Sequence, residues 1–205
     1  MAIGTYSELQ SAVADFLNRD DLTLIIPTFI SLAEAQMDRD IRHWRMESRS
    51  SITLDSEYVD LPADWIETIS LNAGNTNPIK LASRESIADK RIDAQDTAGT
   101  PRFYAHIAGK LELYPTPDDS YTGEILYYAK IEALSDSNTT NWLLTYYPDA
   151  YLYGALIHSA PYLQEDERSV LWAQMYGATV QKINQSSDLA KMSGSGLTMK
   201  VRGLG

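Results

Sequence analysis

Ile41-Arg42-His43-Trp44-Arg45-Met46-Glu47-Ser48-Arg49-Ser50-Ser51-Ile52-Thr53-Leu54 is where the chain changes its hydrophobic period, and the fold class follows from that change. Up to Trp44 the apolar residues Ile26, Ile30, Ala33, Met37, Ile41 and Trp44 step by 4, 3, 4, 4 and 3, with Glu34, Asp38 and Arg42 opposite them. That spacing keeps one face of a helix apolar. From Ser50 the spacing drops to two, in Ser50-Ser51-Ile52-Thr53-Leu54 and again in Tyr58-Val59-Asp60-Leu61. Such alternation belongs to half-buried strands.

Upstream, Thr5-Tyr6-Ser7-Glu8 fits a capping box, in which the Thr5 hydroxyl accepts from the Glu8 N–H and the Glu8 carboxylate reaches back. Leu9, Ala12, Val13, Phe16 and Leu17 then follow on one helix face. Asn18-Arg19-Asp20-Asp21 ends that helix, and Pro27 suits the first turn of the next, where its missing N–H costs nothing. So short a connection predicts antiparallel neighbours.

Downstream, Pro62 stops the second strand and Thr68-Ile69-Ser70-Leu71 reads as a third. Ser83 through Arg91 reads as a short helix. Phe103, Ala105 and Ile107 alternate with Tyr104 and His106. Ala108-Gly109 supplies a tight turn into Leu111, Leu113 and Tyr114. After a loop of Pro115, Pro117, Asp118 and Asp119, alternation resumes from Thr122 to Ile131. Helix returns at Pro148 or Asp149 with Leu152, Ala155, Leu156 and Ser159, and Pro161 closes or kinks it. Glu165-Asp166-Glu167 opens a final helix, where carboxylates complement the dipole, and Trp172, Met175, Tyr176, Thr179, Val180 and Ile183 form its inner face. Ser193-Gly194-Ser195-Gly196 then releases a tail.

The order of elements predicts an α+β fold. It is mainly a helical bundle, with two N-terminal helices over about 5–18 and 23–43 and two C-terminal helices over about 148–162 and 166–190. A small central antiparallel β module over about 46–131 and an extended, flexible C-terminal tail over 193–205 complete it, with residues 1–192 forming one domain.

Composition narrows the function. With 205 residues, 44% of them apolar and 22% charged, the chain can bury a core. No apolar run approaches the ~18 residues that cross a bilayer, and Met1-Ala2-Ile3-Gly4 has neither a secretory leader nor a myristoylation pattern. No membrane association is expected. There are no cysteines, which removes disulfides, thiolate metal sites and cysteine nucleophiles. The net charge is −11, from 17 basic and 28 acidic residues, and such a surface repels DNA phosphates. The charge is uneven, since residues 191–205 hold Lys191, Lys200 and Arg202 and no acid.

Catalytic patterns do not emerge. His43, His106 and His158 lack metal-ligand spacing, and His158 and Ser159 are helical neighbours that point apart. Gly194-x-Gly196 lacks the strand and helix that frame a phosphate loop and reads as a linker. Asp118 and Asp119 could touch a divalent ion, but no third ligand lies nearby in sequence. Asp38 and Asp40, two apart on a helix, face different ways. Neither an enzymatic reaction nor a cofactor is expected. The notable signal is aromatic: of 13 tyrosines, Tyr146, Tyr147, Tyr151, Tyr153 and Tyr162 crowd one segment beside Trp142. Tyrosine suits both half-buried helix faces and interfaces, so this segment is either a core helix with a tyrosine rim or a subunit–subunit surface carried by Tyr147, Tyr151 and Tyr153. A carbohydrate-binding stack is a third reading.

Ordered strings run along the chain: Thr5-Tyr6-Ser7-Glu8-Leu9-Gln10, Phe16-Leu17-Asn18-Arg19-Asp20-Asp21-Leu22, Ile26-Pro27-Thr28-Phe29-Ile30-Ser31-Leu32-Ala33-Glu34-Ala35, Leu111-Glu112-Leu113-Tyr114-Pro115-Thr116-Pro117 and Asn141-Trp142-Leu143-Leu144. The most specific is Pro148-Asp149-Ala150-Tyr151-Leu152-Tyr153-Gly154-Ala155-Leu156, followed by Ala160-Pro161-Tyr162-Leu163. In this order and spacing they resemble head-to-tail adaptor proteins of tailed bacteriophages. The resemblance implies a structural protein of the virion, present in the host cytoplasm during assembly. Twelve copies would form a ring below the portal, extend the channel through which double-stranded DNA passes without specific binding, and present a surface to tail or nozzle components. It also implies that the C-terminal segment docks into the portal, through Leu197, Met199, Lys200, Val201, Arg202 and Leu204. A neighbouring connector role, such as a stopper or tail-completion protein, is the alternative within the class, and a carbohydrate-binding module is the alternative outside it.

Overall fold

Thr5 sets the first helix as its capping box requires: its Oγ1 accepts the Glu8 N–H at 3.3 Å, while the Glu8 carboxylate accepts the N–H groups of Thr5 and Gly4 at 3.1 and 2.8 Å. In this computed structural model the described residues are 3–19, 21–74, 77–93, 98–163 and 168–192. Among them the helices are α1 (Tyr6–Leu17), α2 (Ile26–Asp40), α3 (Arg84–Asp93), α4 (Trp142–Tyr146), α5 (Pro148–Leu163) and α6 (Ser169–Met192). The strands are β1 (Glu47–Leu54), β2 (Tyr58–Asp60), β3 (Trp65–Ala73), β4 (Asn77–Leu81), β5 (Phe103–Ile107), β6 (Lys110–Tyr114) and β7 (Tyr121–Ala129). The chain divides into two compact units, one of Met1–Arg45 with Ile131–Gly205 and the other of Met46–Lys130.

The first unit is helical. Leu9, Ala12, Val13 and Leu17 of α1 are buried as their spacing predicts, but Phe16 is 48% exposed. Helix α2 buries Ile26, Ile30, Ala33 and Met37 and stops at Asp40, short of the expected 43. Ile41 leaves in an extended conformation, still buried, and Trp44 sits in a 3-10 turn, Trp44–Met46, 42% exposed. Helix α5 lies against both α2 and α6. Its Gly154 explains how closely: a Cβ there would stand 3.0 Å from Met37 Cε and 3.1 Å from Ala33 Cβ. Pro161 is carried inside α5. Helix α6 buries Trp172, Tyr176, Thr179 and Ile183, whereas Met175, expected among them, is exposed. Glu165-Asp166-Glu167 and the tail 193–205 lie outside the described residues.

The second unit corrects the expected architecture. In place of a small antiparallel module within a mainly helical bundle, residues 46–130 build a seven-stranded sheet of order β1-β7-β3-β4-β5-β6-β2. It has a core of its own, with Leu54, Leu71, Leu111, Leu113 and Ile125 almost wholly buried. Neighbours in the sheet are antiparallel except β4 and β5, which run parallel. Parallel strands need a crossover, and α3 supplies it, burying Ile87 with Ala105 and Tyr114. Two segments account for the underestimate. Strand β3 begins at Trp65, three residues before the expected start, and β4 holds Pro78 and an exposed Leu81 where alternation would mark a strand. The Ala108-Gly109 hairpin forms as expected, with φ of 46° and 78°, the left-handed pair of a two-residue turn.

Candidate functional site

The aromatic segment Trp142–Tyr162 is the feature to build from. Asn141 caps α4, its Oδ1 accepting the Leu144 N–H at 2.8 Å. Its Nδ2 donates to the Glu132 carbonyl at 2.7 Å and to the Tyr151 hydroxyl at 2.6 Å. That hydroxyl in turn donates to Glu34 Oε1 at 3.3 Å, an oxygen that also accepts the Leu134 N–H at 2.8 Å. Asp38, one turn along α2, accepts the Ile131 N–H at 3.0 Å. Thus two acids that the sequence sets opposite the apolar line of α2 hold the segment that follows β7. Burial raises the Glu34 pKa above the ordinary carboxylate value, against the lowering effect of its two donors. Burial, then the Glu34 charge, raises that of Tyr151. Tyr176 is raised in the same way by burial and by Asp40, whose Oδ2 accepts its hydroxyl at 3.0 Å.

The three tyrosines named from the sequence therefore part company. Tyr151 is 0% exposed and belongs to the core, which removes it from any subunit surface this conformation offers. Tyr147 is half-buried, its hydroxyl 3.1 Å from Ser186 Oγ and its ring edge-on to Trp142. Tyr153 is half-buried on α5. The structure adds residues that sequence spacing kept apart. His43 is buried and stacked on Trp142 at 5.0 Å. The Arg45 guanidinium lies over the Trp44 ring at 4.6 Å and the Tyr146 ring at 4.2 Å, with Tyr146 56% exposed. Arg45 and Tyr146 lie 101 residues apart, so only folding reveals this outward-facing cation–π stack. The portal-docking residues Leu197, Met199, Lys200, Val201, Arg202 and Leu204 lie outside the described residues, as does Gly194-x-Gly196.

The titratable groups considered for chemistry are dispersed. His158 Nε2 pairs with Gln36 Oε1 at 2.9 Å, and Ser159 donates to the Leu156 carbonyl at 2.8 Å. His106 packs against Trp65 and Tyr104, and burial lowers its pKa. Asp118 accepts the Tyr121 hydroxyl at 2.6 Å, and Asp119 accepts the Ser120 N–H at 2.7 Å. Among the described residues no three His, Asp or Glu side chains converge as a metal site, and no helix is long and apolar enough to cross a membrane.

The described residues thus form a helical unit with exposed aromatics and an inserted sheet with a core of its own. The family model of the SU10 adaptor protein matches residues 4–199, and the chain belongs to that family of phage head-to-tail adaptors. It is a phage structural protein of the virion. No curated protein matches the chain.

Proposed function

We propose that the chain is one subunit of a ring, of twelve copies, that docks on the phage portal, extends the DNA channel and offers the attachment surface for the tail. The observation that carries this reading is the family match over residues 4–199, which spans both units. The acidic body, at −11, suits the wall of a channel through which DNA slides, because negative walls do not hold phosphates. Residues 193–205 serve as the portal anchor in this reading. Their sequence alternates Leu197, Met199 and Val201 with Thr198, Lys200 and Arg202, a pattern able to add a strand to an exposed edge.

The test is a portal pull-down with full-length chain and with a chain lacking Ser193 to Gly205. Full-length chain is expected to be monomeric alone, since like-charged copies repel, and to form rings once portal supplies a template. The truncated chain should melt at the same temperature and fail to bind. A monomer that ignores portal sinks the adaptor reading, and a truncated chain that binds with full affinity moves the anchor to the body.

A further inference from the structure

Helix α6 has two faces, and only one is used by the chain's own core. About 100° round the helix from buried Trp172, Tyr176, Thr179 and Ile183 runs a second line, Leu171, Met175, Ala178, Lys182, Gln185 and Leu189, stepping by 4, 3, 4, 3 and 4. All six are exposed, Leu171 at 56% and Leu189 at 68%. A 4-3 repeat is the spacing that keeps one seam facing a neighbouring helix. The seam is also depleted of charge. From Val170 to Gln181 every exposed residue of α6 is uncharged, on a chain that is 22% charged. Loss of charge, not bulk apolarity, distinguishes the centre of an interface.

We infer that this seam of α6 is the surface on which a second copy of this chain packs, head to tail, in the assembled ring. Two observations select a second copy. The sole charge on the seam is Lys182, while the chain it would meet carries −11, so seam and partner are complementary and no acid faces an acid across it. The area agrees as well. A helix of 24 residues is about 36 Å long and about 10 Å wide, hiding roughly 350 Å² on each side. The resulting total of about 700 Å² falls below the ~1,200 Å² of a stable pair. A head-to-tail ring gives each subunit two such contacts and closes on itself, which a free pair cannot do. The inference rests on the ring reading above and names the surface that reading lacks.

The absence of cysteine makes a clean probe available. Gln185→Cys, labelled with benzophenone maleimide, is prepared in ordinary and nitrogen-15 forms and mixed. One arm holds the mixture at millimolar concentration in high salt, which screens the acidic bodies. The other adds portal. After illumination, cross-links joining light to heavy chain are expected in the first arm and, at higher yield, in the second. Adding Met175→Glu with Ala178→Glu should leave the melting temperature unchanged and cut the yield roughly tenfold. Cross-links confined within one chain, including to residues 193–205, or landing only on portal, overturn the seam, as does the absence of light–heavy pairs in both arms. Light–heavy pairs in the first arm with no portal binding in the second would leave the seam standing and defeat the adaptor reading.

Discussion

Replacing Tyr151 separates a core role from an interfacial one more sharply than any other change in the aromatic segment. Its side chain is fully buried, and its hydroxyl receives Asn141 Nδ2 and donates to Glu34 Oε1. Tyr151→Ala removes a whole ring and should cost about 3–5 kcal/mol, as large buried aromatic truncations do. Tyr151→Phe keeps the ring and removes only the hydroxyl. Asn141 Nδ2 still reaches the Glu132 carbonyl at 2.7 Å, and Glu34 Oε1 still accepts the Leu134 N–H at 2.8 Å, so each keeps one bond and only the second Nδ2 hydrogen loses its acceptor. The expected cost is therefore small, about 1–1.5 kcal/mol. At roughly 2–4 °C per kcal/mol for a chain of this size, the two changes separate clearly in a thermal melt. Urea unfolding followed by tryptophan fluorescence, with Trp65 replaced by Phe so that Trp44, Trp142 and Trp172 of the same unit report, gives the free energies directly. The same variants are then scored for ring formation on portal at a temperature where each is folded. A Tyr151→Ala chain that melts within about 2 °C of the parent yet no longer assembles would show that the ring points outward, and the core assignment would fail.

Two further outcomes follow from single positions. Gly177→Ala should stabilise the monomer by about 1 kcal/mol, read as a higher urea midpoint, because the added methyl meets open space and alanine is the better helix former. Burial raises the Glu34 pKa, so the folded chain holds that proton more tightly than the unfolded chain does. The sign follows: stability is fully present below the ordinary 4.5 and falls as pH rises through the raised value. Glu34→Gln keeps the acceptor oxygen and removes the charge, so its stability-against-pH curve should lose that decline; an unchanged curve would mean the carboxylate is not desolvated as the structure has it.

Local rules were legible where the chain obeys them within a few residues. The Thr5–Glu8 capping box, Pro27 in the first turn of α2, the strand Phe103–Ile107 and the Ala108-Gly109 turn all appear where their residue types require. The size of the sheet was not legible. Strand β4 owes its conformation to pairing with β3 on one side and β5 on the other, and its own residues, with Pro78 and an exposed Leu81, carry little alternation. The parallel pairing is likewise a product of the α3 crossover. The short helix was visible from Ser83 to Arg91, but what it connects was not.

What was not legible on the helices shares a cause, which is that a wheel of 3.6 residues sorts faces but does not say who occupies them. On α2 the sequence sets Glu34 and Asp38 opposite the apolar line, and both receive backbone N–H groups from Leu134 and Ile131, 100 and 93 residues away. No local pattern encodes a donor that arrives so late in the chain. On α6 the error runs the other way. Met175 adjoins Tyr176 and stands three residues from Trp172, so a list of apolar residues sweeps it into the inner face. Rotation of about 100° per residue places it instead on the line with Leu171 and Ala178. Exposed apolar residues are common on any surface and carry meaning only where they are ordered into a line, as on this helix. The surplus on α6 is ordered at 4-3 spacing and free of acids, which is what a repeated contact between acidic copies requires.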